Sequence, residues 1–327
     1  MTAAPTGAAP LRVGVLGCAS VARRRLMPAL AALPETELTA VASRDAGRAR
    51  EFAALHGCVP VHGYAALLAR DDIDAVYVPL PAALHGEWIA AALRAGKHVL
   101  AEKPLTTSAQ RTAQLLAEAR DRRLVLMENV MFLHHGQHAA VRRLVHTERS
   151  IGELRFLRAV FAVPPRPADD IRYRADLGGG ALWDVGVYPV RAALHLLGDA
   201  LTVCGAALTR AAGYEVDTSG AALLRTSNGV FAHLSFGLEQ AYASTYELWG
   251  SEGRIVLDQA FTPPADHRPL VRLQHASGNE GVRLDAEDQV VGTLRAWVAA
   301  VRSGTTPDDG TLRQAELLDE IRRHAGG

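Results

Sequence analysis

Lysine is almost absent from this chain of 327 residues, in which only Lys97 and Lys103 among 35 basic residues are lysines. The composition is otherwise rich in Ala, Arg and Gly, and such a bias replaces exposed lysines with arginines wherever either side chain serves. A lysine that persists is a candidate for chemistry, because its compact ammonium shifts its pKa readily whereas a guanidinium stays charged. Lys103, in the run HVLAEKPLTTS, is therefore the first candidate.

Other scarcities exclude whole classes of protein. Cys18, Cys58 and Cys204 are too few and too scattered for a disulfide framework or a paired zinc knuckle, which favours a reducing compartment. Acidic and basic residues balance at 35 each, so no overall field attracts nucleic acid or an acidic membrane surface. No apolar run approaches the roughly 18 residues of a membrane span, and MTAAPTGAAP lacks the parts of a signal peptide. These absences predict a soluble cytoplasmic protein.

The apolar pattern divides the chain in two. Residues 1–127 alternate helical patterns with short runs that are apolar throughout, namely LRVGVLG, ELTAVAS, DAVYVPLP, HVLAEKP and LVLMENV. Such strands are buried on both faces, which predicts a doubly wound parallel α/β domain that binds a nucleotide. In residues 128–327 the apolar residues alternate, with turn signals at 227–229 and 251–253. This half is predicted to be an α+β domain on an open mixed, mostly antiparallel sheet, which binds substrate and forms the oligomer.

The first βα turn is a candidate cofactor loop. In VGVLGCASVA, Gly17, Ala19 and Ala22 stand where a dinucleotide fingerprint has glycines, although only the first is a glycine. An ordinary tight turn is the alternative. Because the loop joins a strand to a helix, we expect it to hold the cofactor's pyrophosphate. The predicted contacts are Gly17, Cys18, Ala19, Ser20 and Val21, and one or two of the arginines 23–25 are expected to neutralise the phosphates.

The end of the second strand predicts which nicotinamide cofactor binds. A domain that prefers NAD places a carboxylate there for the ribose 2′-hydroxyl, whereas this chain has Ser43-Arg44. A hydroxyl and a guanidinium suit a 2′-phosphate, so NADPH is predicted. Asp45 leaves NAD as an alternative, because a shift of one residue in register would bring its carboxylate to the ribose.

Two segments supply candidate catalytic groups. Lys103 ends the fifth strand at the carboxyl edge of the sheet, where ligands bind; Pro104 restricts its backbone, and Glu102 is expected to keep it charged. Farther on, in DVGVYP, Asp184 and Tyr188 are four residues apart on one helical face. Asp184 is expected to orient a neighbour while Tyr188 offers a proton to a carbonyl oxygen, with the lysine lowering the pKa of the phenol. The alternative for Lys103 is a charge at a strand end without a catalytic role. The alternative for Asp184 and Tyr188 is a helix face that only packs against the core.

Two further groups of residues are candidates for ligand binding. Arg172 and Tyr173 precede a Gly-rich turn and are predicted to bind a substrate diphosphate, with a solvated loop as the alternative. His134, His135 and His138 have a spacing suited to zinc, but no Cys, Asp or Glu nearby in the sequence completes four ligands. No metal is predicted, and hydrogen bonds to sugar hydroxyls are expected there instead.

These motifs together resemble the glucose–fructose oxidoreductase, inositol dehydrogenase and MocA family, in order and spacing over nearly the whole chain. The residues that carry the resemblance are Gly17 and its loop, Val78-Pro79 to His85, Glu102-Lys103-Pro104, Gly178-Gly179-Gly180, Asp184, Gly186 and Tyr188. The resemblance implies an N-terminal Rossmann domain, an open-sheet second domain and hydride transfer at a sugar or cyclitol carbon. It implies a catalytic and substrate-binding role for Lys103, Asp184 and Tyr188. To the cofactor site it adds Leu80, His85, Glu102 and Lys103.

A narrower resemblance predicts the reaction. Many family members have His where this chain has Tyr188, which argues against the inositol dehydrogenase type. The runs CASVARRRLMPAL and MENVMFLHHGQH resemble the nucleotide-sugar 3-ketoreductases of bacterial deoxysugar pathways. We expect NADPH-dependent reduction of a dTDP-linked 3-keto-deoxyhexose by a homodimer or homotetramer that packs through the half-apolar sheet face. The alternatives are a dehydrogenase of a free sugar, cyclitol or dihydrodiol, and a nucleotide-sensing regulator, against which the pair Lys103 and Tyr188 argues.

Overall fold

The computed structural model describes residues 9–305 and 310–326, so most of the N-terminal leader lies outside it. Its first sheet consists of parallel strands in the order β3-β2-β1-β4-β5-β6. The strands are β1 Leu11–Leu16, β2 Thr36–Ser43, β3 Val59–His62, β4 Ala75–Val78, β5 His98–Glu102 and β6 Leu126–Asn129. This order reverses between β1 and β4, and ligands bind at such a switch point, outside the carboxyl ends of the strands. The prediction of a doubly wound α/β domain is confirmed.

Helices connect these strands and cover the sheet. A π-helical turn, Ala22–Leu26, leads into α1 Met27–Ala32, and the others are α2 Ala46–His56, α3 Tyr64–Leu68, α4 Ala82–Arg94 and α5 Ala109–Asp121. All of β4 and five of the six residues of β1 are buried. Because both faces are covered, these strands are apolar throughout.

The second sheet has the order β14-β13-β12-β11-β7-β10-β9-β8. Only the pair of β7 and β10 is parallel among the described strands, so the predicted mixed, mostly antiparallel sheet is confirmed. The strands are β7 Leu154–Ala162, β8 Leu201–Thr209, β9 Ser219–Thr226, β10 Phe231–Gly237, β11 Ala243–Gly250, β12 Gly253–Asp258, β13 Leu270–His275 and β14 Gly278–Arg283. The predicted turns join β9 to β10 and β11 to β12.

Helices cover one face of this sheet. A π-helical turn, Leu182–Gly186, leads into α7 Val187–Leu197, which packs with α9 Thr311–Ala325 against the buried side. A shorter helix, α6 Gly136–Arg142, precedes β7. Along β10, every other residue from Phe231 to Ser235 is exposed, so the opposite face of the sheet is open.

Helix α8, Gln289–Ser303, returns to the first sheet. Trp297 is fully buried there, and it shares a hydrophobic cluster with Val13 and Val15 of β1. The domain limits at 127 and 128 stay a prediction, and α8 shows that the second segment contributes to the core of the first sheet. No helix of the described residues is long and apolar enough to cross a membrane.

Candidate active site

The cofactor loop lies tightly against the switch point of the sheet. Gly17 has a φ of +122°, and its amide donates a hydrogen bond to the Ala42 carbonyl oxygen at 2.9 Å. A Cβ at this position would lie 2.8 Å from Cδ2 of Leu80, so both the conformation and the close approach require glycine. Cys18 is buried, and burial raises the pKa of its thiol, which suits the role of a small filler.

The carboxylate next to the end of β2 is engaged in a helix cap. Asp45 caps helix α2, because its Oδ1 accepts hydrogen bonds from the amides of Gly47 at 2.7 Å and Arg48 at 3.1 Å. These amide hydrogen bonds lower the pKa of Asp45. Ser43 and Arg44, which is exposed, remain at the strand end, so the geometry favours a 2′-phosphate over a 2′-hydroxyl.

Arg48 is a candidate cofactor residue that the sequence interpretation missed. Its guanidinium donates a hydrogen bond to the Cys18 carbonyl oxygen at 2.8 Å and thereby ties α2 to the cofactor loop. A signal was present, because Arg44 and Arg48 are four residues apart at the start of a helical pattern.

Lys103 forms an ion pair with Asp184, which is 81 residues away in the chain. Its Nζ donates hydrogen bonds to the backbone oxygen of Asp184 at 2.6 Å and to Oδ1 at 3.0 Å. Burial opposes the charge on Lys103, but the combined effects of Asp184, Tyr188 and Glu102 raise the pKa of the lysine overall. Burial likewise opposes the charge on Asp184, but Lys103 and Arg172 lower its pKa overall. Both groups are therefore ionised at neutral pH.

Glu102 helps to keep Lys103 charged, as expected, but its hydrogen bonds go to other residues. Glu102 is buried, and its Oε1 accepts hydrogen bonds from the Tyr77 hydroxyl at 2.7 Å and from Nδ2 of Asn129 at 2.6 Å. Its charge is the weakest of the influences that raise the pKa of Lys103. Through these hydrogen bonds, Glu102 at the end of β5 links this strand to β4 and β6. Its contact with the cofactor stays a prediction.

Tyr188 presents a free hydroxyl group beside the lysine. Lys103 Nζ lies 5.1 Å from the centre of the Tyr188 ring, which packs against Phe132, Phe161 and Phe261. No described residue forms a hydrogen bond with the Tyr188 hydroxyl. Burial raises the pKa of this phenol and Lys103 only partly opposes the effect, so the expected lowering is wrong. The phenol is protonated at neutral pH and has a proton to donate.

Arg172 is held by two carboxylates. Its Nε donates a hydrogen bond to Asp184 Oδ2 at 2.8 Å, and its Nη1 donates to both oxygens of Asp170 at 2.9 and 3.1 Å. Asp184 is the first cause of the raised pKa of Arg172. Two of the three nitrogens of the guanidinium predicted to bind a diphosphate are thus engaged, which favours a role in positioning Asp184. Its substrate-binding role stays untested.

Tyr173 is a packing residue in this structure. It is 6% exposed and stacks on Tyr214 with ring centres 4.4 Å apart. Its hydroxyl donates to the Leu238 carbonyl oxygen at 3.3 Å and accepts from the Arg166 amide at 3.2 Å. No donor on this side chain is left for a diphosphate, and the predicted substrate contact has no support from the geometry.

Two buried groups brace the loop that follows Lys103. The His85 ring lies between the carbonyl oxygens of Leu80 and Pro104, at 2.8 and 2.9 Å, and its cofactor contact stays a prediction. Glu128, which the sequence interpretation missed, accepts hydrogen bonds from the Leu105 amide at 2.7 Å and from Gln314 Nε2 at 2.9 Å. The only sequence signal was a carboxylate at the end of an otherwise apolar run.

Of the three histidines after β6, His135 and His138 are buried and His134 is half-buried. His135 and His138 are each 1% exposed, and His138 Nδ1 lies 3.0 Å from the Tyr246 hydroxyl. Burial lowers the pKa of His138 well below its usual value. Their burial argues against the expected hydrogen bonds to sugar hydroxyls.

The site therefore combines a cofactor loop, an ionised lysine and a protonated phenol at one edge of a parallel sheet. The carboxyl ends of parallel strands meet at the same edge, which brings the loop after β1 and Lys103 after β5 to the same cleft. A cation and a proton donor that face a bound carbonyl group stabilise negative charge as it develops on the oxygen. This arrangement suits hydride addition to a ketone.

Comparison with known proteins finds related oxidoreductases over nearly the whole chain. The sequence model of an oxidoreductase family with an NAD-binding Rossmann fold matches residues 11–130, and that of the GFO/IDH/MocA C-terminal domain matches residues 138–256. A dTDP-3,4-didehydro-2,6-dideoxy-alpha-D-glucose 3-reductase from Actinomadura kijaniata is 52% identical over 98% of this chain and 97% of its own. Its counterpart from Saccharopolyspora spinosa is 54% identical, with 95% and 96% covered.

A solved structure with NADP and TDP-benzene is similar throughout. It is that of KijD10, a 3-ketoreductase from Actinomadura kijaniata, with 52% identity and a TM-score of 0.94. The match covers 96% of this chain and 98% of KijD10.

Proposed function

The chain belongs to the GFO/IDH/MocA oxidoreductase family, and from this premise we propose that it is an NADPH-dependent reductase of the C3 ketone of a dTDP-linked 2,6-dideoxyhexose in deoxysugar biosynthesis. The observation that carries the proposal is the 52% identity, over 98% of the chain, to a reductase of that description. The complex of KijD10 with NADP and TDP-benzene supports both the cofactor and the nucleotide. The capping role of Asp45 supports the same cofactor from this chain's own residues.

Three side chains perform the proton chemistry in this proposal. The bound NADPH supplies a hydride to the ketone carbon. The Tyr188 hydroxyl donates a hydrogen bond to the ketone oxygen and transfers its proton to that oxygen as negative charge develops there. Lys103 stabilises this charge and then the phenolate, and Asp184 holds the ammonium group in place.

A substrate panel tests the proposal. The protein is incubated with NADPH and with nucleotide-linked or free keto sugars while the absorbance of the reduced cofactor is followed. We expect rapid oxidation with a dTDP-linked 3-keto-2,6-dideoxyhexose and none with the same sugar lacking dTDP. Faster oxidation of NADPH with free keto sugars, or reduction of NADP⁺ with free sugars, cyclitols or dihydrodiols, would favour the alternative dehydrogenase.

The cofactor assignment predicts a selective loss in the variant Arg44→Ala. Removing the guanidinium is expected to weaken NADPH binding by on the order of 1.5–3 kcal/mol, the value of a charge-assisted hydrogen bond. NADH lacks the 2′-phosphate, so its affinity should hardly change. Fluorescence titration with both cofactors measures the effect. Arg50→Ala is the control, because Arg50 is an exposed arginine that lies on α2. Equal losses for NADPH and NADH would rule out this role for Arg44.

We also propose a homodimer or homotetramer that packs through the open face of the second sheet. Phe231 on β10 and Trp249 on β11 are 39% and 38% exposed on that face. Apolar residues grouped on one exposed sheet face are typical of an interface.

Assembly predicts a mass that is a multiple of 34.9 kDa in sedimentation equilibrium at micromolar concentration. Trp249→Glu should shift the protein toward monomer, because it places a charge in the interface. Leu55→Glu, at an apolar residue of α2 that is 59% exposed, should not. A monomeric wild-type protein would refute the proposed assembly.

The predicted cytoplasmic location belongs to the same proposal. Cys18, Cys58 and Cys204 are free thiols, which is the usual state in a reducing compartment. Burial raises the pKa of Cys58 to about 11, so this thiol resists oxidation.

A further inference from the structure

A cavity of about 610 Å³ lies beside the cofactor loop and is not explained by the catalytic groups. Its walls come from α1, from the start of α8 and from the loop after β12, and they include Pro28, Leu33 and Pro263-Pro264. The volume is within the range of sites for small molecules, roughly 300–1,000 Å³. Apolar walls of this kind suit a planar base or a sugar ring.

The cavity is positively charged. Three arginines and one aspartate line it, and they are Arg24, Arg25, Arg295 and Asp288. The Asp288 carboxylate caps α8, where it accepts a hydrogen bond from the Val290 amide at 2.8 Å. The net positive charge favours a phosphorylated ligand.

Arg25 is the distinctive cation of this group. It is half-buried, yet within the described chain it has neither a hydrogen bond nor an ion pair. Arg295, in contrast, lies 3.7 Å from Glu35, and the nearby Arg23 lies 4.0 Å from Glu51. The charge of Arg25 also reaches the Tyr188 phenol, whose pKa it lowers slightly against the larger effect of burial. An unpaired guanidinium therefore lines the cavity, and its charge acts on the Tyr188 phenol.

Gln289 adds an independent sign of a ligand. It lines the cavity and is only 2% exposed, and its Oε1 is buried without a donor among the residues of known placement. Its Nε2 makes only one long contact, 3.5 Å from the Pro263 carbonyl oxygen. Buried amide oxygens without a partner are uncommon and call for an explanation. The imide N–H of a thymine ring is a donor of the missing kind.

We infer that this cavity binds the nucleotide part of the substrate, with Arg25 on the diphosphate and Gln289 on the thymine base. The inference rests on the proposed function and names the subsite that recognises dTDP. Nε and Nη1 of Arg172 already donate hydrogen bonds to Asp184 and Asp170, so Arg172 is less available to a diphosphate than Arg25. Arg25 is the cavity-lining arginine that has no hydrogen bond or ion pair among the described residues.

Calorimetric titration of dTDP into the protein saturated with NADP⁺ tests the inference. Arg25→Met should weaken dTDP by about 10- to 100-fold, as expected for the loss of a charge-assisted contact, and leave thymidine nearly unchanged. Arg94→Met is the control, because Arg94 is an exposed arginine of α4 and lies outside the cavity. Gln289→Met should reduce the preference for dTDP over dCDP, a ratio that a purely structural defect would not alter. Retained affinity for NADP⁺ shows that each variant is folded.

The possible results distinguish a failure of the proposed subsite from a failure of the proposed function on which it rests. A wild-type protein that does not bind dTDP would overturn the proposed nucleotide-linked substrate, and the subsite with it. A wild-type protein that binds dTDP, together with an Arg25→Met variant that binds it equally well, would overturn only the subsite. If Arg25→Met weakens NADP⁺ as much as dTDP, the arginine serves the cofactor and the inference is wrong.

Discussion

Lys103→Arg and Lys103→Met are both expected to lose about 10²–10⁴ in kcat, the range of a positioned acid–base group. The lysine is 12% exposed, and its Nζ donates to two oxygens of Asp184 at 2.6 and 3.0 Å. A guanidinium is larger and planar and cannot place its charge where the compact ammonium group lies, so conserving the charge does not conserve the function. Single-turnover reduction at saturating NADPH measures the loss, and the affinity for NADPH should change far less.

The chain contains a matched control for this substitution. Lys97 is also buried, but its Nζ donates to the backbone oxygens of Arg70 and Ile73, away from the carboxyl edge of the sheet. Lys97→Arg is expected to affect stability and to leave kcat within about twofold, because this lysine is outside the site. A Lys103→Arg enzyme that runs near the wild-type rate would show that Lys103 is only a strand-end charge.

Tyr188→Phe is expected to reduce kcat less than Lys103→Met, because a water molecule can replace the phenol as proton donor. The double variant should lose less than the product of the two single effects, since Lys103 Nζ lies 5.1 Å from the Tyr188 ring and the pair acts on one oxygen atom. Single-turnover rates of the wild-type protein, the two single variants and the double variant complete this double-mutant cycle. Strictly multiplicative losses would contradict a shared role.

The pH dependence of this pair follows from the direction of its pKa values. Burial raises the pKa of Tyr188, and Asp184 raises that of Lys103 against burial. Both groups therefore keep their protons through neutral pH, and kcat should decline only as pH rises through the alkaline range. A decline in kcat on going from neutral pH toward acid would point to a different proton donor.

The sequence predicted the architecture well because the relevant signals are local. Runs that are apolar throughout can only be strands covered on both faces, and the carboxyl edge of the resulting sheet brings Gly17, Ser43 and Lys103 to one side. The pair Asp184 and Tyr188 was predictable from its helical spacing. The capping role of Asp45 was not recognised, although an Asp before a helical pattern is a common N-cap.

The errors concern contacts that only the tertiary structure sets. Glu102 is the sequence neighbour of Lys103, but successive residues of a strand point to opposite faces, and its partners are on β4 and β6. The partner of Lys103 comes from a segment 81 residues later. Arg172 is occupied by Asp184 from the following helix, which no local pattern indicated.

Burial by distant segments explains the other differences. The pKa of Tyr188 depends on aromatic rings that come from three separate parts of the chain. Helix α8 has an apolar face that its periodicity reveals, but periodicity does not say which sheet the face covers.

Deuteride transfer tests the central claim most directly. NADPH carrying deuterium at the transferable position of nicotinamide C4 is incubated with the wild-type protein and dTDP-3,4-didehydro-2,6-dideoxyglucose, and the product is examined by NMR. This substrate has two adjacent ketones, so the position of the label identifies the carbon that is reduced. We expect one deuterium at C3, a new hydroxyl group at C3 and an intact ketone at C4. Label at C4, or no transfer from NADPH while a free sugar is reduced, would contradict the proposed 3-ketoreductase.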